Sequence, residues 1–169
     1  MLQRSESIYH KPTVDTKLYR ISNNLYVGSG AASRDAKSLK HEGITHIVNA
    51  ASLTECCCYP EEMKYMAIAL LDSDTQNLMK HLEETNHFIK SAIDAGGTVL
   101  IHCHEGVSRA PAICAAYLMK LLNIDSSSAI YRIKSVKADV NPIENFRKQL
   151  QLYAGEVLRP VGFEPTKKF

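Results

Sequence analysis

"HCHEGVSR", residues 102–109, stands between the apolar run "TVLI" (98–101) and the helix-prone run "APAICAAYLMKLL" (110–122). An apolar run of this kind reads as a buried strand, and the second run, apolar nearly all round, as a buried central helix. The eight residues are therefore the loop at a strand's carboxyl end that opens a helix, where ligands bind in open α/β sheets. Successive amides from Cys103 to Arg109 can ring a phosphate-sized anion. Gly106 permits the tight path, and Arg109 can clamp two oxygens at once. The helix-end dipole, the inward amides and Arg109 all favour the anion of Cys103 over its thiol, which makes it a nucleophile. A ring that stabilises a thiolate also stabilises the oxygens of a phosphoryl group under attack.

Working outward, strands and helices alternate. "KLYRI" (17–21), the turn "SNN" and "LYVGS" (25–29) read as two short strands. "SRDAKSLKHEG" (33–43) reads as a short helix, with Ser33 able to cap its start and Gly43 at the left-handed stop. "ITHIVNA" (44–50) is a β-branched strand, "LTECCCYPEE" (53–62) is turn-rich, and "MKYMAIAL" (63–70) is a further strand. From Asn77 to Ala95, Leu78, Leu82, Ile89 and Ile93 recur at near-helical spacing up to Gly96 and Gly97, with Asp74 or Thr75 available as a cap. "SSSAIYRIKSVK" (126–137) and "IENFRKQLQLYAGEVL" (143–158) complete a helical C-terminal half. Asn141, Pro142 and Glu144 supply a start signal for the last helix. The pattern predicts one α/β domain, a central, mainly parallel sheet flanked by helices with a strand–loop–helix phosphate-binding loop. It divides the chain into an N-terminal arm (1–16), a catalytic domain (17–158) and a C-terminal tail (159–169).

A chain of 169 residues fits one such domain with a real core. Twenty Lys and Arg against 18 Asp and Glu give a net charge of +2, which offers no broad basic surface for nucleic acid. No apolar segment reaches membrane-spanning length, "MLQRSESIYHK" lacks a signal-peptide core, and neither end carries a lipidation signal. The expectation is a soluble protein of the cytoplasm, with the nucleus also open to it, and no membrane partner. The five cysteines, Cys56, Cys57, Cys58, Cys103 and Cys114, are odd in number and suit free thiols in a reducing compartment. Cys114 falls on the buried helix. Cys56, Cys57 and Cys58 either pack a loop or lie where a thiol could trap an oxidised Cys103. "HCH" is a poor metal site, because on a strand His102 and His104 face one side and Cys103 the other.

The spacing of Cys103, five residues and Arg109, with His102 before and Ser108 near the end, resembles the phosphate loop of the cysteine-dependent protein phosphatases. "HCHEGVSRAPAICAAYLM" (102–119) is similar to the dual-specificity branch in particular. So are "LYVGSGAASRDAKSLKHEGITHIVNA" (25–50) and "NPIENFRKQLQLY" (141–153). Ala110 departs from the serine that many relatives carry after the arginine. The resemblance implies a small phosphatase domain without a kinase-docking domain, acting on a phosphoprotein through a phosphocysteine and needing no metal or other cofactor. It implies Cys103 as nucleophile, Arg109 as the phosphate clamp, Asp72 rather than Asp74 of "LLDSDTQNL" (70–78) as the acid, and Ser108 as donor to the departing sulfur. His104, Glu105, Gly106 and Val107 would wall the substrate pocket. His102 would organise the loop and favour the thiolate, and Asn49 would brace the loop from behind. The implied substrates are phosphotyrosine together with phosphoserine and phosphothreonine. Two other readings stay open: a phosphatase for a phosphoinositide, a glucan or an RNA 5′ end, and a phosphoprotein-binding pseudophosphatase. Glu105 in place of a loop lysine disfavours the first, and the presence of Cys103 the second. A thiol oxidoreductase would want a Cys-x-x-Cys pair, which the chain lacks.

Overall fold

A computed structural model describes residues 14–158; residues 1–13 of the expected arm and 159–169, the expected tail, lie outside the described residues. Five strands, β1 (Tyr19–Ser22), β2 (Leu25–Gly28), β3 (His46–Asn49), β4 (Lys64–Ala67) and β5 (Val99–His102), form one sheet in the order β1-β2-β5-β3-β4. Only β1 runs antiparallel to its neighbour; the β2–β5, β5–β3 and β3–β4 pairs are parallel. The helices are α1 (Ala36–His41), α2 (Met79–Asp94), α3 (Arg109–Leu122), α4 (Ser126–Lys134) and α5 (Glu144–Val157).

Both faces of the sheet are covered, which explains why its inner strands read as unbroken apolar runs. Leu25 and Val27 of β2, Val48 of β3 and Val99 and Ile101 of β5 join the core that includes α2, α3, α4 and α5. The alternate residues Tyr26, Ile47 and Leu100 pack with Leu39 of α1 in a smaller core on the opposite face. Helix α3 is buried without a break from Ala110 to Met119, as its all-round apolar sequence requires.

Three helix starts differ from the expected ones, each because another group takes the work. Asp35, not Ser33, caps α1: its Oδ1 accepts the N–H groups of Lys37 and Ser38 at 3.1 and 3.2 Å. Ser33 lies in a preceding 3₁₀ turn and donates its hydroxyl to Gly30 O at 2.8 Å. Gly43 does take the left-handed stop, at φ +66°. Helix α2 is capped from across the fold, by Gln149 Oε1, which accepts from Leu78 N and Met79 N at 2.7 and 3.1 Å. Asn77, and neither Asp74 nor Thr75, adds a local bond to Lys80 N at 3.2 Å. Helix α5 is capped at Ile143 rather than Asn141, because the chain before it is tied to the 103–108 loop: Asn141 N–H donates to Val107 O at 2.8 Å.

The parallel register sets Gly28 and Asn49 beside His102, the last residue of β5. The carboxyl ends of three neighbouring strands thus meet where the 103–108 loop begins.

Candidate active site

Residue 103 leaves the sheet between β2 and β3, and Arg109 is already the first residue of α3. Cys103 is 2% exposed, and the Gly106 N–H points at its sulfur, 3.3 Å away. Gly106 has φ +74°, and a Cβ there would stand 2.7 Å from Gly28 O. No other residue fits this turn without moving β2. The loop is tied at both ends, by Gly30 N–H to His104 O at 2.9 Å and by Asn141 N–H to Val107 O at 2.8 Å.

The loop that carries Asp72 lies directly against it. The Ser108 hydroxyl donates to Asp72 Oδ1 at 2.6 Å and accepts from Ile143 N–H at 3.1 Å. Arg109 donates from one terminal nitrogen to Leu70 O at 3.1 Å, two residues before Asp72, while its buried Nε has no protein partner. Asn145 and Gln149 of α5 fix the far side of this loop: Asn145 Nδ2 donates to Ser73 O and Gln76 O, and Gln149 Nε2 to Gln76 O. Between Asp72 and Asp74, the structure brings Asp72 to the cysteine loop; Asp74 is exposed along an open groove with Thr75, Gln76 and Asn77.

Ser108, the expected donor to the departing sulfur, directs its hydroxyl to Asp72 in this structure. His102 is fully buried, and burial pushes its imidazole down to about 4, so it is a neutral ring at physiological pH. It cannot favour a thiolate by charge. It organises the loop through its Nδ1, 3.3 Å from Cys103 O. Asn49 braces the 50–55 turn instead of the cysteine loop itself, with Oδ1 accepting Ala51 N–H at 3.0 Å and Nδ2 donating to Glu55 O at 2.8 Å. Among the pocket-wall residues, Glu105 is exposed and the His104 ring turns away to Glu55.

Glu55 and the bracing pair Asn145 and Gln149 are the residues that sequence reasoning missed. An acidic residue directly before three cysteines, in "LTECCCYPEE", was the available signal for Glu55; for Asn145 and Gln149 the 3.6-residue pattern of α5 shows only an exposed face. The expectation of free thiols is also corrected: Cys56 and Cys58 are joined in a disulfide, their Cα atoms 5.4 Å apart, while Cys57, Cys103 and Cys114 are free. One intervening residue lets the two sulfurs meet. Burial pushes the Cys114 thiol far up, as its core position demands.

The pattern described as "Dual specificity phosphatase, catalytic domain" matches residues 25–156. The chain belongs to the dual specificity phosphatase family. It is 32% identical over 152 residues to the tyrosine-protein phosphatase yvh1 of Schizosaccharomyces pombe, covering 90% of this chain and 46% of that protein. It is 35% identical over 131 residues to dual specificity protein phosphatase 1 of Arabidopsis thaliana, covering 78% of this chain and 66% of the relative. This chain thus spans less than two thirds of the length of these relatives. Among solved structures, human DUSP28 superposes with a TM-score of 0.76 at 28% identity, over 82% of this chain and 93% of that one. The Yvh1 phosphatase domain of Chaetomium thermophilum gives 0.74 at 27% identity, over 83% and 96%. The dual specificity phosphatase domain is therefore the unit described here, a five-stranded, mainly parallel sheet with its cysteine loop on the central strand.

Proposed function

We propose that this dual specificity phosphatase domain hydrolyses phosphotyrosine and phosphoserine or phosphothreonine in proteins through a phosphocysteine intermediate, and that residues 17–158 form the catalytic unit. The observation that carries the reading is the junction of the two loops: a buried Cys103 sulfur facing the Gly106 amide, with Asp72 held on the adjoining Ser108. In the first step the Cys103 thiolate attacks phosphorus. The S–P bond forms, the P–O bond to the substrate breaks, and Asp72 gives its proton to the leaving oxygen. Arg109 stays in place through its bond to Leu70 O, leaving Nε and its other terminal nitrogen to hold phosphoryl oxygens. In the second step a water, deprotonated by Asp72, attacks phosphorus; the S–P bond breaks, and inorganic phosphate and the thiolate are regenerated. Ser108 then acts by aiming Asp72. Donation to the departing sulfur would require its hydroxyl to swing away from that carboxylate. Exposed Glu105 at the loop mouth supports a protein substrate over a multiply phosphorylated lipid.

The test is hydrolysis of an aryl phosphate across pH, with a chelator present, by wild type, Cys103→Ser and Asp72→Asn. The expected result is chelator-resistant activity that disappears with Cys103→Ser. Asp72→Asn should lower kcat by about 10²–10⁴-fold and remove the basic limb of the pH profile. A folded wild type that binds tungstate or a phosphopeptide without turnover would instead make the protein a phosphate-recognising binder.

A further inference from the structure

Among the described residues, Glu55 is the only buried acidic side chain. A carboxylate taken out of water is costly unless it is paired, so its partners matter. One oxygen is 2.5 Å from His104 Nδ1, and the other meets the Arg34 guanidinium. Burial pushes this carboxyl up, but the hydrogen bonds and charges of His104 and Arg34 outweigh it and leave Glu55 below the usual glutamate value. The main chain of Glu55 is itself fixed, its N–H on Ala51 O at 2.9 Å and its carbonyl on Asn49 Nδ2 at 2.8 Å. Arg34 is held through its carbonyl, which accepts the Tyr59 hydroxyl at 2.6 Å.

His104 directly follows Cys103, and it is gripped at two points. Its ring is on Glu55, and its carbonyl takes the Gly30 N–H at 2.9 Å. The His104 side chain is 62% exposed, so packing alone does not hold it. Gly30 and Glu55 are matched to each other: a Cβ at residue 30 would fall within the Glu55 carboxylate. Three segments distant in sequence, 30–34, 55 and 104, thus converge on one residue of the phosphate loop.

We propose that Glu55 is a positioning residue for that loop: by holding the His104 ring while Gly30 holds the His104 carbonyl, it fixes the loop amides in the direction that receives phosphoryl oxygens. The proposal rests on the loop being the phosphoryl site. Glu55 touches neither substrate nor sulfur and acts only through His104.

The experiment measures tungstate affinity by calorimetry, and KM and kcat for an aryl phosphate, in wild type, Glu55→Gln, His104→Ala and the double variant. Glu55→Gln is expected to weaken tungstate binding and raise KM in parallel, each by about tenfold, and to add nothing further in the His104→Ala background. A purely structural role in the 50–55 turn predicts losses that multiply in the double variant, and that result overturns the proposal. So does a folded Glu55→Gln protein whose tungstate affinity stays within about twofold of wild type. Should Glu55→Gln fail to fold, Gly30→Ala keeps every charge, displaces the carboxylate and is read by the same criteria. A wild type that hydrolyses aryl phosphate beside an unaffected Glu55→Gln removes this proposal alone; a wild type that neither binds tungstate nor turns over removes the phosphatase reading as well.

Discussion

His102 binds a proton only below about 4 in the folded protein, against 6.5 for an ordinary histidine, so the unfolded chain holds more protons between those values. Its contribution to stability is complete above pH 6.5 and is lost as the pH falls toward 4, on the order of 3 kcal/mol at most. Urea unfolding at pH 7 and pH 5 should show a steeper loss in wild type than in His102→Asn; parallel losses would contradict the neutral, buried ring. Gly106→Ala belongs to the same scale. With φ at +74° and Gly28 O in the way, it is expected to cost about 2 kcal/mol or more and to lower kcat/KM by at least about 100-fold. Thermal melting and steady-state kinetics check both numbers. At this scale the sequence was most informative for groups whose spacing is itself the chemistry. Cys103, Gly106 and Arg109 are legible because an anion ring admits few arrangements. Glu55 was not, because its partners Arg34 and His104 lie 21 and 49 positions away and only folding brings them to it.

Between elements, the loop that carries Asp72 is set by α5. Asn145 Nδ2 bonds the carbonyls of Ser73 and Gln76 at 3.0 and 2.9 Å, one to four residues beyond Asp72. Asn145→Ala is expected to lower kcat about tenfold with KM little changed and to cost about 1–2 kcal/mol of stability. An unchanged kcat in a variant of lowered melting temperature would show that the acid loop needs no support from α5. Helix identities were readable from apolar period, and β2, β3 and β5 as short unbroken apolar runs, since both of their faces are covered. Helix starts were less so. Ser33 and Asn141 are good caps by residue type, but Ser33 bonds Gly30 O, and the chain at Asn141 is drawn to Val107 O. Gln149 capping α2 from α5 spans about 70 residues, which no local pattern shows.

At the scale of the whole molecule, the thiols separate by environment. Cys114 lies in the core, Cys56 and Cys58 are paired, and Cys57 is half-buried. Alkylation of the native protein followed by peptide mass spectrometry should leave Cys56 and Cys58 unlabelled until a reductant is added, and Cys114 unlabelled until the chain is unfolded. Labelling of all three cysteines 56–58 without reductant would restore the free-thiol expectation drawn from composition. Length and composition bounded the chain to one domain of modest charge but could not decide a pairing set by the local backbone at 56–58.

The central claim is that phosphate passes onto Cys103. Phosphorus NMR of wild-type enzyme, acid-quenched during turnover of an aryl phosphate, tests it most directly. Transfer to Cys103 gives a sulfur-linked phosphate signal that maps to the peptide containing Cys103 and is absent from Cys103→Ser. Turnover without any such signal, together with activity surviving in Cys103→Ser, would contradict it.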